Sequence, residues 1–284
     1  MNMMSFRKCL VVPVILAVLL FHGFTACNWP EQQNEQIGFA VTNTEEWTKA
    51  MNHIRASSYN QNYIITINGD IDVPGGVDPT FGNIPGLSVT LQGNGTLSLN
   101  SRGNMIRLAL HQTLLIDSAD LILQGLTNNE NGANEDNNTA VVYLATTTRL
   151  ILRNGTICGN TNGNTNSSGG GIYIDGGSFI MTGGAVSGNT ADNGGGVYVY
   201  RAGASNNNVV SFSKSGGIIY GKDAAQDDKN TANADTYGHA VYYYFFISPN
   251  SHYYYRDTIL SVNLSTGDQM PASGQTLNEW TKRN

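Results

Sequence analysis

Four tyrosines recur in one local setting. Tyr143, Tyr173, Tyr198 and Tyr242 sit at the centre of Val142-Tyr143-Leu144, Ile172-Tyr173-Ile174, Val197-Tyr198-Val199 and Val241-Tyr242-Tyr243. In an extended chain the flanking residues share one face and the central ring takes the other. The tyrosines are 30, 25 and 44 residues apart, and Ile106-Arg107-Leu108 fits as an earlier member. An inward, unpaired Arg107 would be costly to bury. The central position is therefore expected to point outward, with the four rings stacked as an external stripe. Such a stripe could bind a sugar chain or a partner protein. Stacked rings also stabilise a sheet face with no ligand at all.

A second group is acidic. Asp223, Asp227, Asp228 and Asp235 fall in one polar stretch with Asn230 and Asn233. Ca²⁺ takes six to eight oxygens, and these side chains could supply several of them. Their spacing is not that of an EF-hand, and a solvated polar loop accounts for it equally well.

The third group is the cysteines, at 9, 27 and 158. Arg7 and Lys8 precede an apolar run from Leu10 to Phe21, and Gly23-Phe24-Thr25-Ala26-Cys27 follows. A short positive start, an apolar segment and small residues are the order of a secretory signal. The run is shorter than the ~20 residues that a membrane-spanning helix needs. Phe24-Thr25-Ala26-Cys27 resembles a bacterial lipobox, with Phe where Leu is usual, so Cys27 is the candidate for lipidation. Residues 1–27 are then the signal and 28–42 a polar tether. The domain spans 43–284, and the envelope membrane is reached through a lipid anchor only. Cys158 has no His or second Cys near it in sequence and is expected to be a small buried thiol.

What positions these groups is a repeat. Asn154-Gly155-Thr156-Ile157-Cys158-Gly159, Gly183-Gly184-Ala185-Val186-Ser187-Gly188 and Gly216-Gly217-Ile218-Ile219-Tyr220-Gly221 align, with starts 29 and 33 residues apart. The tyrosine segments form a second column. Leu150-Ile151-Leu152, Ser178-Phe179-Ile180 and Ser211-Phe212-Ser213 form a third. No helical pattern separates these strand segments. A single unit cannot bury its apolar side chains, whereas stacked units share one continuous core. The expected fold is all-β: a parallel β-helix with three short strands per rung.

Turn residues agree with this. Gly-Asn pairs at 159–160 and 188–189 suit positive φ. Gly169-Gly170-Gly171 and Gly194-Gly195-Gly196 suit turns whose backbones approach closely. Asn128 to Thr139 and Asn160 to Asn166 are rich in Asn, and stacked turns could form internal amide ladders.

The run Gly169-Gly170-Gly171-Ile172-Tyr173-Ile174, then Gly183-Gly184-Ala185-Val186-Ser187-Gly188-Asn189-Thr190, then Gly194-Gly195-Gly196-Val197-Tyr198-Val199 resembles the repeats of pectin-lyase-like right-handed β-helix proteins. Within these it is similar to surface repeat lipoproteins of spirochaetes and like bacteria. The resemblance covers about residues 140 to 245. It implies a single-stranded right-handed parallel β-helix at the bacterial envelope, on the outer membrane or cell surface. It also implies a non-enzymatic, adhesin-like role toward a polysaccharide or a host or cell-surface protein.

The alternative that the resemblance raises is a calcium-dependent polysaccharide lyase of the pectate-lyase type. The four aspartates would hold Ca²⁺, and Arg201 or Lys222 would act as base. Asn233-Ala234-Asp235 and Gly238-His239 echo fragments of polygalacturonase-type sites, without the remaining acid pair and basic motif. His239 falls where the other repeats have Gly170 or Gly195 and reads as a repeat variant.

The ends are expected to be caps. Asn43-Thr44-Glu45-Glu46 has the form of a capping box, and Trp47, Met51 and Ile54 then share one helical face. At the other end Thr258 to Leu264 reads as a last strand before a polar tail. Composition excludes other classes. A net charge of −6 is opposite to what a nucleic-acid binder needs. Only 13% of residues are charged, unlike a charged disordered tail. The 33 glycines interrupt any long coiled coil.

Overall fold

A computed structural model describes residues 36–129, 134–202, 211–233, 237–247, 250–266, 276–277 and 279–283. These form a parallel β-solenoid of about six turns with one helix.

Three long ladders run along it. The first stacks Gln36–Val41, Asn62–Ile67, Ser88–Gly93, Thr113–Ile116 and Arg149–Leu152, then the leading halves of Ser178–Ser187 and Ser211–Ile219, all parallel. The second stacks Ile71–Val73, Thr96–Leu99, Ile122–Gln124 and Thr156–Cys158, then the trailing halves of the same two long strands. The third holds Ile106–Leu108, Val142–Leu144, Ile172–Asp175, Val197–Ala202 and Val241–Ile247. A short fourth ladder pairs Thr190–Ala191 with Thr231–Ala232 and meets Thr161 through an isolated bridge. The strand count therefore varies along the solenoid. Early turns have no third-ladder strand, and later turns add the fourth pairing.

In-register pairing puts like residues above like. Tyr63, Val89, Leu114, Leu150, Phe179 and Phe212 are successive partners and are all buried. So are Ile71, Leu97, Leu123, Ile157, Val186 and Ile219 in the second ladder. In the third they are Ile106, Val142, Ile172, Val197 and Val241. Burying each such aliphatic or aromatic side chain stabilises the fold by about 1.5–3 kcal/mol. Because side chains alternate along each strand, the residues between these columns face outward.

Glycine is required where coils touch. A Cβ on Gly170 would lie 2.3 Å from the carbonyl oxygen of Gly195. At Gly184 the φ is +71° and a Cβ would lie 2.5 Å from the carbonyl oxygen of Gly155.

Asparagine fills the core at one corner, as an amide ladder. Asn137, Asn160, Asn189 and Asn230 are fully buried. Asn137 Nδ2 donates to Asn160 Oδ1 at 2.8 Å, and Asn189 Nδ2 donates to Asn230 Oδ1 at 3.1 Å. Asn160 N donates to Asn189 Oδ1 at 3.3 Å. Each amide also binds backbone groups of neighbouring coils, which keeps buried polar atoms satisfied.

The N-terminal cap is the helix Thr44–Arg55, inserted between the first two strands of the first ladder. Asn43 Oδ1 accepts from Glu46 N at 3.0 Å. Glu46 Oε2 returns the bond to Thr42 N at 2.8 Å, one residue earlier than the usual reciprocal partner. Trp47, Ala50, Met51 and Ile54 are buried by the helix. The strand Gln36–Val41 lies inside the stretch that the sequence assigns to a tether.

The C-terminal end differs from the expected strand and polar tail. Leu260 makes one antiparallel bridge to Ile219, and Leu264–Ser265 pairs antiparallel with Ser211–Ile219. Asn250–Arg256 folds back antiparallel on Val241–Ile247, and Trp280–Lys282 pairs antiparallel with Asn250–Arg256. Trp280, in the supposed tail, is fully buried. Periodicity in the sequence could not show this, because these strands do not repeat.

Candidate functional site

The third ladder carries the tyrosines on its outer face. Tyr143, Tyr173, Tyr198 and Tyr242 are successive in-register partners. Their ring centroids are 5.2, 5.1 and 5.8 Å apart, with planes 8°, 28° and 5° from parallel. Arg107 occupies the same register position one coil earlier. Its guanidinium lies 3.8 Å from the Tyr143 centroid and covers the free face of the first ring. At the other end Tyr242 meets Tyr253 at 6.2 Å, tilted.

Exposure divides the column. Tyr198 is 9% exposed and Tyr242 3%, whereas Tyr143 and Tyr173 are half-buried. Only the latter two present an accessible surface of useful extent. The Tyr143 hydroxyl donates to Asp175 Oδ2. Burial, then this bond, push the Tyr143 phenol up to about 12. Burial first, then the Asp175 charge, raise Tyr173 as well. These hydroxyls are therefore neutral donors at ordinary pH rather than bases.

A second aromatic column lies beside the first. Tyr200, Tyr244 and Tyr253 are in-register partners with centroids 5.4 and 5.0 Å apart. Sequence reasoning missed it. The signal was present as Tyr198/Tyr200 and Tyr242/Tyr244, each two residues apart and so on one face of a strand.

Next to Tyr143 and Tyr173 is an open groove of about 330 Å³. Asn138, Asn162, Asn164, Ser167 and Ser168 line it with the two rings. The turn 163–166 is exposed. Side-chain amides, hydroxyls and two ring edges thus share one concave surface.

The acidic residues make different contacts. Asp223 Oδ1 accepts from the backbone N–H of Ile259. Asp227 lines a different, polar groove with Thr161, Thr190, Thr231 and Lys229. The Asp228 carbonyl accepts from Gly188 N at 2.9 Å. Among the described residues no three His, Cys, Asp or Glu side chains are grouped as metal ligands. Asp235 and Cys27 lie outside the described residues, as do the signal segment 1–27 and the tether up to residue 35.

Arg201 and Lys222 are likewise engaged elsewhere. Arg201 Cζ lies 4.7 Å from the Phe245 centroid, and Lys222 Nζ lies 3.9 Å from Asp257 Oδ2. His239 pairs its backbone into the repeat at the Gly195 level, since Gly196 N donates to His239 O at 3.0 Å. Its Nδ1 accepts from Ala232 N at 3.2 Å. The imidazole thus satisfies a backbone donor.

Cys158 is only partly buried, because it faces outward from Thr156–Cys158 rather than into the core. Burial, then the charge of Asp228, push its thiol up to about 11, so the thiolate is scarce at neutral pH.

No helix among the described residues is long and apolar enough to cross a membrane. The chain matches no protein-family model, no curated protein and no solved structure at a significant level.

Proposed function

We infer that this chain is an exported, lipid-anchored β-solenoid of non-enzymatic role that binds glycan chains from its side face. The observation that carries the reading is the partly buried Tyr143–Tyr173 pair, 5.2 Å apart, whose edges open on a groove lined by amides and hydroxyls. Aromatic surface and fixed hydrogen-bonding groups are what a small polar ligand needs for packing and orientation. The two rings are held on paired strands, so they require little ordering on binding.

The particular type, a right-handed pectin-lyase-like helix akin to spirochaetal surface repeat lipoproteins, rests on the repeat sequence. Envelope location on the outer membrane or cell surface rests on the N-terminal sequence ending at Cys27. Asp223 bonded to Ile259 N, Asp227 beside Lys229 in its polar groove, and the engagement of Arg201 and Lys222 favour binding over the calcium-dependent lyase alternative. Fold alone does not choose between them.

The test is a glycan array probed with the full chain and with the double substitution Tyr143→Ala, Tyr173→Ala. Saccharide binding by the wild type that the double variant loses is the expected result. Equal binding by both proteins rejects the site. Metabolic labelling with a fatty-acid analogue, compared with Cys27→Ser, tests the anchor. Label retained by the serine variant rejects it.

A further inference from the structure

Four buried side-chain polar atoms lack a hydrogen-bond partner among the described residues: Asn138 Oδ1, Asn162 Oδ1, Arg201 Nε and Arg256 Nε. Two of the four belong to residues that line the tyrosine groove. A buried acceptor left without a donor is costly, so folded chains rarely retain one without a reason. The amide of Asn162 is held in one sense. Its Nδ2 donates to Ser168 O at 3.3 Å and to Gly169 O at 3.2 Å, which leaves Oδ1 as the open acceptor. Asn162 is 5% exposed, so bulk solvent does not reach its oxygen.

The groove's chemistry restricts the missing donor. None of its lining residues is Asp, Glu, Lys, Arg or His. A bound Ca²⁺ would call for carboxylates among its oxygens, and this lining has none. The lining itself offers no cation to an anionic ligand: the nearby Arg107 guanidinium is held against the Tyr143 ring, and the nearby Asp175 is bonded to the Tyr143 hydroxyl. A neutral group with several O–H donors suits two amide oxygens beside two aromatic rings. The exposed turn 163–166 borders the groove and is tied back by Gly163 N to Asn137 O at 2.9 Å and Asn164 Nδ2 to Asn138 O at 2.7 Å. A ligand that reaches the buried amide oxygens displaces these bonds first.

We propose that the groove is a subsite for a neutral sugar unit whose hydroxyls donate to Asn138 Oδ1 and Asn162 Oδ1 while its ring packs against Tyr143 and Tyr173. This inference rests on the glycan-binding reading above and adds the class of sugar and the residues that select it. It is tested by calorimetric titration of the full chain with cello-, chito- and galacturonan hexasaccharides. The variants are Asn138→Ala and Asn162→Ala.

A neutral hexasaccharide should bind more tightly than the galacturonan, and each Asn variant should weaken it about fivefold or more. Asn138 keeps the test usable if the Asn162 variant fails to fold, because Asn138 is less buried. Neutral-sugar binding that Asn138→Ala leaves unchanged overturns the subsite but not the glycan reading. Preference for the galacturonan does the same. Failure of the wild type to bind any of the three overturns the subsite, and a blank glycan array would remove the broader reading with it.

Discussion

Tyr173 lies against Tyr143 with ring centroids 5.2 Å apart and planes 8° from parallel, each ring in the same place on successive coils. This offset stacking sets the electrostatics of both phenols. Packed rings shed water, and a phenolate there would lose its solvation. Tyr143 is pushed up to about 12 from an ordinary value of 10.0, and Tyr173 and Tyr198 are raised for the same first cause.

The consequence is a loss of stability in alkali. A folded-state value above the unfolded one means that the folded chain holds its protons longer. The stabilisation is complete below about pH 10, and is lost as pH rises through the folded value. The contribution of these tyrosines to the urea midpoint should therefore be constant below pH about 10 and fall as pH rises from there through about 12 and beyond. Ultraviolet titration should show a late-ionising class of tyrosines in the folded chain that joins the ordinary class on unfolding. A single ordinary class in the folded chain would refute the account.

The buried amides make a second prediction. Asn189 donates to Ile157 O, Ser187 O and Asn230 Oδ1, and its own Oδ1 accepts from Asn160 N. Asn189→Ala leaves several of these buried groups without partners, each at a cost of about 1–3 kcal/mol. The variant should lose about 3 kcal/mol or more in equilibrium unfolding, or fail to fold. Asn100→Ala, at an exposed position, should change stability by less than about 0.5 kcal/mol. Equal effects would mean that the ladder contributes nothing.

The sequence made the tyrosine column legible because strand alternation and a regular repeat act together. Val197-Tyr198-Val199 has a period of two within the strand and a partner one coil away. The helix Thr44–Arg55 was legible because its cap and apolar stripe are local. The amide ladder was legible only as a tendency. Which asparagines turn inward depends on the corner geometry, and Asn137, in the irregular stretch before Val142, joins from outside the Gly-Asn pattern. The orphaned oxygens of Asn138 and Asn162 could not be read from the sequence at all. They follow from how neighbouring turns pack.

Lys214 occupies an apolar position. It is the in-register partner of Met181 and is 1% exposed, with its Nζ donating to Val262 O at 3.0 Å. Burial lowers its pKa, so folding disfavours the charged ammonium. A depressed lysine value costs stability where the unfolded chain is protonated, and that cost fades as pH rises toward about 10.4. Lys214→Met should therefore be more stable than wild type near neutral pH, by about 1 kcal/mol. The advantage should shrink above pH about 10. A less stable methionine variant at neutral pH would show that the Val262 bond outweighs desolvation.

The last prediction concerns the end of the solenoid. A stack of parallel coils ends in unpaired strand edges and an open core, both prone to association. Here the antiparallel strands after residue 250 close that end, with Trp280 as their plug. Its side chain is fully buried, 5.8 Å from the Tyr243 ring, and its Nε1 donates to Ser265 O at 3.0 Å. Trp280→Ala removes this packing and should cost about 3–5 kcal/mol. The loss should be concentrated at the C-terminal coils, because each coil of a solenoid contacts only its neighbours. Hydrogen exchange should accelerate in Val241–Ile247 and Ser211–Ile219 while Asn62–Ile67 stays protected. Light scattering should reveal concentration-dependent oligomers joined through the opened end. Uniform loss of protection along the chain, with no oligomers, would mean that Trp280 stabilises the whole domain cooperatively instead of sealing one end.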